Sequence, residues 1–438
     1  MTHGTDTLEE RCVRTTVPTV AYEEPARALV LREPRRLEAA TFAMPVLGDD
    51  DGILRIEACG LCGTDHEQWS GHIGATFPYI PGHEIVGVIE SLGAQAAARW
   101  GVSVGDRVAV EVFLSCRTCP ACLAGQYRRC ERHGVRHFYG FISSDETPGL
   151  WGGYATHLYL HQDALVLPVP AGLEPVVATA FNPLGAGIRW GVTVPNLQPG
   201  EVVAVLGPGI RGLAVAAAAK AAGASFVLMT GLGERDRSRL ELARTFGVDL
   251  TVDVATTDPV RALRRAGYRG ADVVVDVTAK APAAFAQAID LAATGGRVVV
   301  TGTRGAGDRT PGFDPDRIVY KELTIMGALG VDYPAYEEAH RQARPRTRRR
   351  RARARSRRPR RIGPADDASL RSSPWLTQCD SISSIRSGPT GCSGSAAAPA
   401  STATLASSSP SARRAGSSPV SRSRPSSSPS SATCTAVA

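Results

Sequence analysis

The second half of the chain alternates continuous apolar segments with alanine-rich segments, and this alternation constrains the fold more than any other feature. Strands that are apolar along their whole length, each followed by a helix, predict a parallel sheet covered by helices on both faces. We therefore expect a doubly wound α/β domain over residues 176–340. The predicted strands are Val202–Leu206, Phe226–Thr230, Leu250–Val254, Val273–Val277, Arg297–Thr301 and Leu323–Met326.

Residues 25–175 show a different pattern, in which short apolar runs are separated by glycine, proline and aspartate turns. Many short strands with such spacing predict a β-rich domain. Residues 1–24 form an N-terminal arm that lacks the charged segment and apolar core of a signal peptide. No apolar run reaches the roughly 18 residues that a membrane span needs. We therefore expect a cytoplasmic protein without a membrane partner.

Residues 341–438 continue neither pattern. They contain 19 arginines, three aspartates and no lysine or glutamate, a charge of +16, whereas the whole chain carries +8, so the first 340 residues carry −8. A segment rich in arginine, serine and proline buries too little apolar surface to offset its ordering entropy, so we expect a disordered tail.

The composition of this tail is that of a GC-rich coding region translated out of frame, and we hypothesise a frameshift near residue 341. Its arginines lack interleaved aromatic residues, so nucleic acid is not an expected partner.

Four cysteines lie within fifteen residues, at positions 116, 119, 122 and 130. In a chain without a secretion signal, this spacing predicts metal binding rather than disulfides. Four thiolates surround a tetrahedral Zn²⁺ completely and leave no position for a substrate. We therefore predict a structural zinc site with the ligands Cys116, Cys119, Cys122 and Cys130.

A glycine-rich segment, GPGIRG at residues 207–212, follows the first predicted strand of the α/β domain and opens an alanine-rich helix. In that context glycines allow a tight turn and bring a pyrophosphate close to the amino terminus of the helix. We therefore predict that Gly207, Gly209, Ile210 and Gly212 bind a dinucleotide.

The end of the second predicted strand leaves the choice between NAD and NADP open. Gly231 stands where a carboxylate would bind the ribose diol of NAD. Arg235 could accept the 2′-phosphate of NADP, whereas Glu234 or Asp236 could equally turn back to the diol. Gly231 and Arg235 are therefore predicted cofactor-binding residues, and neither cofactor is favoured.

A third group combines Cys62, Thr64 and Asp65 with the pair His83–Glu84 further along the chain. A catalytic zinc takes about three protein ligands, with thiolate and imidazole among the preferred donors, and keeps one position open. A carboxylate such as Asp65 could orient the imidazole without binding the metal. Cys62 and His83 are therefore candidate ligands of a catalytic zinc.

The segments CGLCGTD, PGHEIVGVIESLG, the four-cysteine segment and GPGIRG occur in this order and resemble the zinc-dependent medium-chain dehydrogenases, which include alcohol and polyol dehydrogenases. The resemblance covers about residues 25–335. It implies a GroES-like catalytic domain at residues 25–175, a Rossmann domain at residues 176–340, and an active site between them. It also implies a small alcohol or carbonyl substrate and a homo-oligomer, either a dimer or a tetramer.

The same resemblance implies a role for each residue of the third group. Cys62 and His83 would be catalytic zinc ligands, Glu84 the carboxylate beside the metal, and Thr64 the hydroxyl that passes on the substrate proton. Asn182 stands where the family usually has a third cysteine or glutamate ligand. Either Asn182 is a weak neutral donor, or Glu84 binds the metal directly.

The resemblance predicts a zinc-dependent oxidoreductase that transfers hydride between an alcohol and NAD or NADP and forms an aldehyde or ketone. Glu67 stands where many members of the family have a relay histidine, and His66 lies one position earlier, which leaves the proton path beyond Thr64 open. Members of the family also return to the catalytic domain after the sixth strand, and nothing beyond His340 resembles that return. An inactive relic is therefore the alternative to the favoured prediction of an enzyme.

Overall fold

The computed structural model describes residues 22, 24–73, 76–135, 137–304 and 309–343. Nearly all of the N-terminal arm and the tail lie outside the described residues. The disorder, the frameshift and the exclusion of nucleic acid therefore stay predictions, as do the domain boundaries. Within the described part of the chain, no helix is long and apolar enough to cross a membrane.

The first half of the chain is rich in short antiparallel strands. They are β1 (Ala26–Glu33), β2 (Arg36–Phe42), β3 (Gly52–Gly60), β4 (Glu84–Leu92), β5 (Arg107–Val110), β6 (His157–Leu160) and β7 (Val166–Pro168). Strands β1 and β2 form a hairpin, and the others form a sheet in the order β6-β3-β4-β5-β7. Short helices interrupt the strands: α1 (Gly63–Trp69), α2 (Ala94–Trp100), α3 (Pro120–Leu123) and α4 (Pro175–Ala178). The predicted β-rich architecture is confirmed.

The second half is a doubly wound domain, as predicted. Its strands are β8 (Val202–Leu206), β9 (Phe226–Gly231), β10 (Leu250–Asp253), β11 (Ala271–Asp276), β12 (Ala292–Val300) and β13 (Thr324–Gly327). They form one parallel sheet in the order β10-β9-β8-β11-β12-β13. The helices are α5 (Phe181–Ile188), α6 (Ile210–Ala221), α7 (Gly233–Ala243), α8 (Pro259–Arg265), α9 (Pro282–Leu291), α10 (Asp316–Tyr320) and α11 (Tyr333–Ala343).

Burial on both faces explains why these strands are apolar throughout. Along β8, Val203 and Val205 belong to a cluster that includes residues of α5, α6 and α11, while Ala204 and Leu206 belong to a cluster with residues of α8 and α9. The largest difference from the sequence prediction concerns β12, which begins at Ala292 rather than Arg297 because Ala292 already pairs with Ala271.

The carboxyl end of β8 fixes the position of the glycine-rich segment. Parallel strands of a doubly wound sheet bind ligands at their carboxyl ends, where the chain order reverses. The sheet reverses its order at β8, whose neighbours are β9 and β11. The loop at residues 207–209 therefore leaves the sheet at the point where such domains bind nucleotides.

Candidate functional site

The structure brings the four cysteines of the loop after β5 together. Their sulfur atoms all lie within 4.8 Å of one another. Helix α3 begins directly after Cys119, and a single 3₁₀ turn, Tyr127–Arg129, precedes Cys130. We call residues 116–130 the cysteine lobe.

Hydrogen bonds favour the thiolate form of one of these cysteines. The Thr118 hydroxyl and the backbone N–H of Cys119 each donate to Cys116 Sγ at 3.4 Å. These donors lower the pKa of Cys116 to about 5. Thiolates are the form that binds zinc, and the four converging sulfurs fit a closed structural zinc site.

Cys62 is positioned by the start of helix α1. It is the N-cap of that helix, and its sulfur accepts the backbone N–H of Thr64 at 3.3 Å. The Asp65 carboxylate accepts the backbone N–H of Cys62 at 2.8 Å, which completes a capping box with cysteine in the place of serine or threonine. The local sequence CGTD therefore fixes both the sulfur and the carboxylate.

His83 and Glu84 reach the same place from the beginning of β4. Gly82 precedes them with a φ of +93°, and a Cβ there would lie 2.7 Å from the Tyr154 ring, so only glycine fits this turn. Cys62 Sγ lies 3.2 Å from His83 Nε2, and donor atoms of Cys62, His83 and Glu84 all lie within 4.8 Å of one another. We call these three residues the Cys62 group.

The buried side chains of the Cys62 group lie beside a further carboxylate. All three side chains are buried, and the Asp65 carboxylate lies 3.7 Å from His83 Nδ1. Burial by itself lowers the pKa of His83, but the charges of Cys62, Asp65 and Glu84 outweigh it and raise the pKa to about 9. A buried, anionic set of sulfur, nitrogen and oxygen donors fits a divalent cation such as zinc.

Asn182 lies in helix α5 and is 2% exposed. Its Nδ2 donates to the Tyr336 hydroxyl at 3.0 Å, while its Oδ1 has no hydrogen-bond partner within the described residues. Burial and the charge of Glu111 raise the pKa of Tyr336, Glu84 adds to this, and Arg211 opposes it. Tyr336 therefore links Asn182 electrostatically to the Cys62 group, and the unpartnered amide oxygen is available as a donor.

The glycine-rich segment forms the turn that its sequence predicts. Gly207 has a φ of +104°, and a Cβ on Gly212 would lie 2.0 Å from the Gly207 carbonyl oxygen. A Cβ on Gly209, the N-cap of α6, would meet nothing within 4 Å. Gly209 and Ile210 therefore border open space at the amino terminus of α6, where a pyrophosphate would bind.

At the end of β9, Gly231 is buried beneath the start of helix α7. Asp236 is 4% exposed and accepts the backbone N–H of Leu232 at 2.9 Å, so its carboxylate is occupied inside the turn. Glu234 pairs with Arg237, whereas the Arg235 side chain is 75% exposed and its nearest acidic partner, Asp236, is 3.6 Å away.

Sequence reasoning overlooked two residues that border the Cys62 group. Arg211 lies inside the glycine-rich segment, and its Nη2 is 3.9 Å from Cys62 Sγ while its guanidinium lies over the Trp190 ring. A charged residue inside a dinucleotide-binding loop was a visible signal. Tyr336 gave no such signal, because only the packing of α11 against α5 brings it to Asn182.

Comparison with known proteins assigns each half of the chain to a known domain family. The family model for the alcohol dehydrogenase GroES-like domain matches residues 48–171, and that for zinc-binding dehydrogenases matches residues 212–344. The Mycobacterium tuberculosis protein named "Probable alcohol dehydrogenase adh" is 63% identical over 313 residues, which cover 72% of this chain and 85% of that protein. Sorbitol dehydrogenase of Bacillus subtilis is 31% identical over 281 residues, which cover 63% of this chain and 74% of that protein.

A solved structure shows the same architecture. The Sinorhizobium meliloti protein assigned to the zinc-binding dehydrogenases and crystallised with NADP is 27% identical, has a TM-score of 0.63, and covers 73% of this chain and 88% of its own. These matches span both the antiparallel and the parallel sheet. The chain therefore belongs to the zinc-binding, alcohol dehydrogenase-type family of NAD(P)-linked oxidoreductases.

Proposed function

We propose that this chain oxidises a small alcohol or polyol with NAD(P), reversibly, at a site formed by the Cys62 group and the glycine-rich segment. One observation carries the proposal: Arg211 of the glycine-rich segment lies 3.9 Å from Cys62 Sγ, so the predicted nucleotide loop and the predicted metal ligands meet. Hydride transfer needs this proximity, because the reacting carbon and the nicotinamide must lie in contact. The names of the alcohol and sorbitol dehydrogenase relatives support the substrate class.

Cys62 and His83 would hold the catalytic zinc, together with either Asn182 Oδ1 or a Glu84 oxygen. When bound, zinc supplies Lewis acidity that lowers the pKa of an alcohol hydroxyl. Asp65 orients His83 through the 3.7 Å contact to Nδ1, which fixes the imidazole nitrogen that faces Cys62. Asn182 is held in place by the Tyr336 hydroxyl.

Thr64 would take up the substrate proton. Its backbone N–H contacts Cys62 Sγ at 3.3 Å, and its side chain is only partly buried at the first turn of α1. A hydroxyl can accept one proton while it donates another, so Thr64 can move a proton away from the buried donors. Glu67, one helical turn further along α1, contacts Lys280 at 2.9 Å, and its side chain is 18% exposed.

The dinucleotide would lie across the carboxyl end of the parallel sheet, with its pyrophosphate at Gly207–Gly212 and its adenosine ribose near Gly231. The nicotinamide ring of NAD(P) supplies the hydride acceptor. Because Asp236 is engaged in its own turn and Arg235 is exposed, we infer that a 2′-phosphate is accepted and that NADP is used at least as well as NAD.

Assembly and location complete the proposal. The family resemblance favours a homo-oligomer. Among the described residues, no strand pairs with the outer edge of β13, and Ile325 and Leu329 beside it are 37% and 51% exposed. We also propose a cytoplasmic location.

The test is turnover of the purified full chain, with a panel of primary, secondary and polyol substrates and with NAD and NADP separately. We expect zinc-dependent reduction of either cofactor that a chelator abolishes and added zinc restores. A folded, zinc-loaded protein that reduced neither cofactor with any substrate would instead support the inactive relic.

A further inference from the structure

Three of the nine histidines in the chain pack together next to the cysteine lobe, and the proposed function uses none of them. The rings of His133 and His137 are stacked with centroids 5.3 Å apart, and the ring of His161 meets His133 edge-on at 5.8 Å. His133 follows the cysteine lobe, whereas His161 lies in the connection between β6 and β7. We call these residues, together with Asp163, the histidine cluster.

The contacts within the histidine cluster need one added positive charge, which a ring proton or a metal ion supplies. His133 Nε2 lies 2.8 Å from Asp163 Oδ2, His133 Nδ1 lies 3.1 Å from His137 Nδ1, and His137 Nε2 lies 2.8 Å from Glu146 Oε1. If His137 donates to Glu146, its Nδ1 holds a lone pair and His133 Nδ1 must donate to it. His133 Nε2 in a neutral ring then has a lone pair that faces the Asp163 carboxylate.

Two electron-rich atoms 2.8 Å apart repel each other unless a positive charge lies between them. That charge is either a metal ion, which both atoms bind, or a proton, carried by His133 or by a His137 imidazolium that donates to both Glu146 and His133. A separation of about 3 Å suits two ligands of one ion at bond lengths of about 2.0–2.2 Å. The distance of 2.8 Å between His133 Nε2 and Asp163 Oδ2 therefore fits either a proton or a metal ion. A third donor atom nearby favours the metal ion.

His161 supplies that third donor. One ligand atom from each of His133, His161 and Asp163 lies within 4.8 Å of the other two. His161 Nδ1 accepts the backbone N–H of Asp163 at 3.0 Å, so this nitrogen carries a lone pair, which a metal would take in place of that contact.

The surrounding charges leave room for an ion. Arg117 and Arg132 contact Asp163 at 3.7 and 3.5 Å, which is longer than a close ion pair, and a carboxylate offers about four lone pairs. The side chains of His133 and Asp163 are 6% and 8% exposed, so water competes poorly for the position between them.

We propose that His133, His161 and Asp163 form a third metal site, specific for Zn²⁺, Co²⁺ or Ni²⁺, that ties the cysteine lobe to the antiparallel sheet. Two imidazoles and one carboxylate select these ions over Mg²⁺ and Ca²⁺, which prefer oxygen ligands alone. The backbone supports this role, because the Asp163 carbonyl also accepts the N–H of Ser115 at the start of the lobe. The ion would thus connect residues on both sides of the lobe.

The test counts metal per chain by atomic spectrometry after dialysis of the full-length protein at micromolar free zinc. His161→Gln and Asp163→Asn should each bind one equivalent less than the natural sequence. His157→Gln, a change in another partly buried histidine of the same sheet, should bind the full number. With Co²⁺, the sulfur-to-metal absorption of the cysteine ligands should be equal in all variants.

Equal metal counts in the natural sequence and in His161→Gln would overturn the proposal and assign the cation to a proton on the histidine cluster. An extra equivalent that survives both substitutions would overturn it as well, because the ion would then be bound elsewhere. Cys62→Ser reports separately on the proposed catalytic zinc, since it removes its own equivalent whether or not the histidine cluster holds one.

Discussion

The cysteine lobe and the Cys62 group are both collections of metal donors, but they are assembled in opposite ways. The lobe takes four sulfurs from one fifteen-residue loop, and Cys119 and Cys122 are partly exposed. The Cys62 group joins residues 21 positions apart, is buried, and has Arg211 of α6 within 3.9 Å of its sulfur. We therefore expect bound metal to stabilise the fold of the cysteine lobe. The Cys62 group is held in place by the surrounding fold, so its metal can keep one coordination position open for a substrate.

The largest effect should come from Cys62→Ser, which tests the functional side of this comparison. Serine retains an oxygen that can cap α1, so the melting temperature should change by only about 2 °C. Turnover should fall at least about 100-fold, since even partners outside the metal shell contribute 10–100-fold. Full turnover in this variant would remove Cys62 from the catalytic site.

The reciprocal variant, Cys119→Ser, should affect folding first. A cross-link across a loop of about 15 residues stabilises by about 3 kcal/mol, which corresponds to a fall in melting temperature of roughly 6–12 °C. Calorimetry of the two cysteine variants side by side checks the comparison, each serving as the control for the other. If Cys119→Ser melted like the natural sequence, the lobe would not be a structural site.

The same contrast explains how much the sequence could predict. The lobe and the glycine-rich turn are encoded by neighbouring residues, and their spacing alone predicted both. The capping box of Cys62 is equally local, but the sequence analysis did not predict it. The contacts of Asn182 with Tyr336 and of Arg211 with Cys62 join residues 154 and 149 positions apart. No local pattern encodes such distances, so sequence reasoning placed Asn182 only by family resemblance and overlooked the two partners.

A smaller effect on activity is expected from a substitution of Asp65, which contacts His83 but is not a proposed zinc ligand. Asp65→Asn keeps an oxygen for the N–H of Cys62 but removes the negative charge beside His83. We expect activity or zinc affinity to fall about 10–100-fold, with little change in the melting temperature. Asp258→Asn is the matched control, because Asp258 also caps a helix but lies far from the site in the chain and is exposed. Equal effects in the two variants would show that Asp65 acts only as a helix cap.

The smallest effect concerns the choice of cofactor. As with the two metal groups, a local turn and a separate side chain have different roles here. The turn at Gly207–Gly212 would bind the pyrophosphate of either cofactor, so discrimination must come from the end of β9. There Arg235 is exposed and Asp236 is held by the N–H of Leu232. A solvent-exposed arginine–phosphate contact contributes about 1 kcal/mol, so Arg235→Ala should raise KM for NADP about fivefold and leave KM for NAD nearly unchanged.

The control for the loss of one positive charge is Arg261→Ala, because Arg261 is an exposed arginine of α8. Steady-state kinetics with both cofactors checks this, and equal shifts for NAD and NADP would mean that the adenosine ribose does not bind near Arg235.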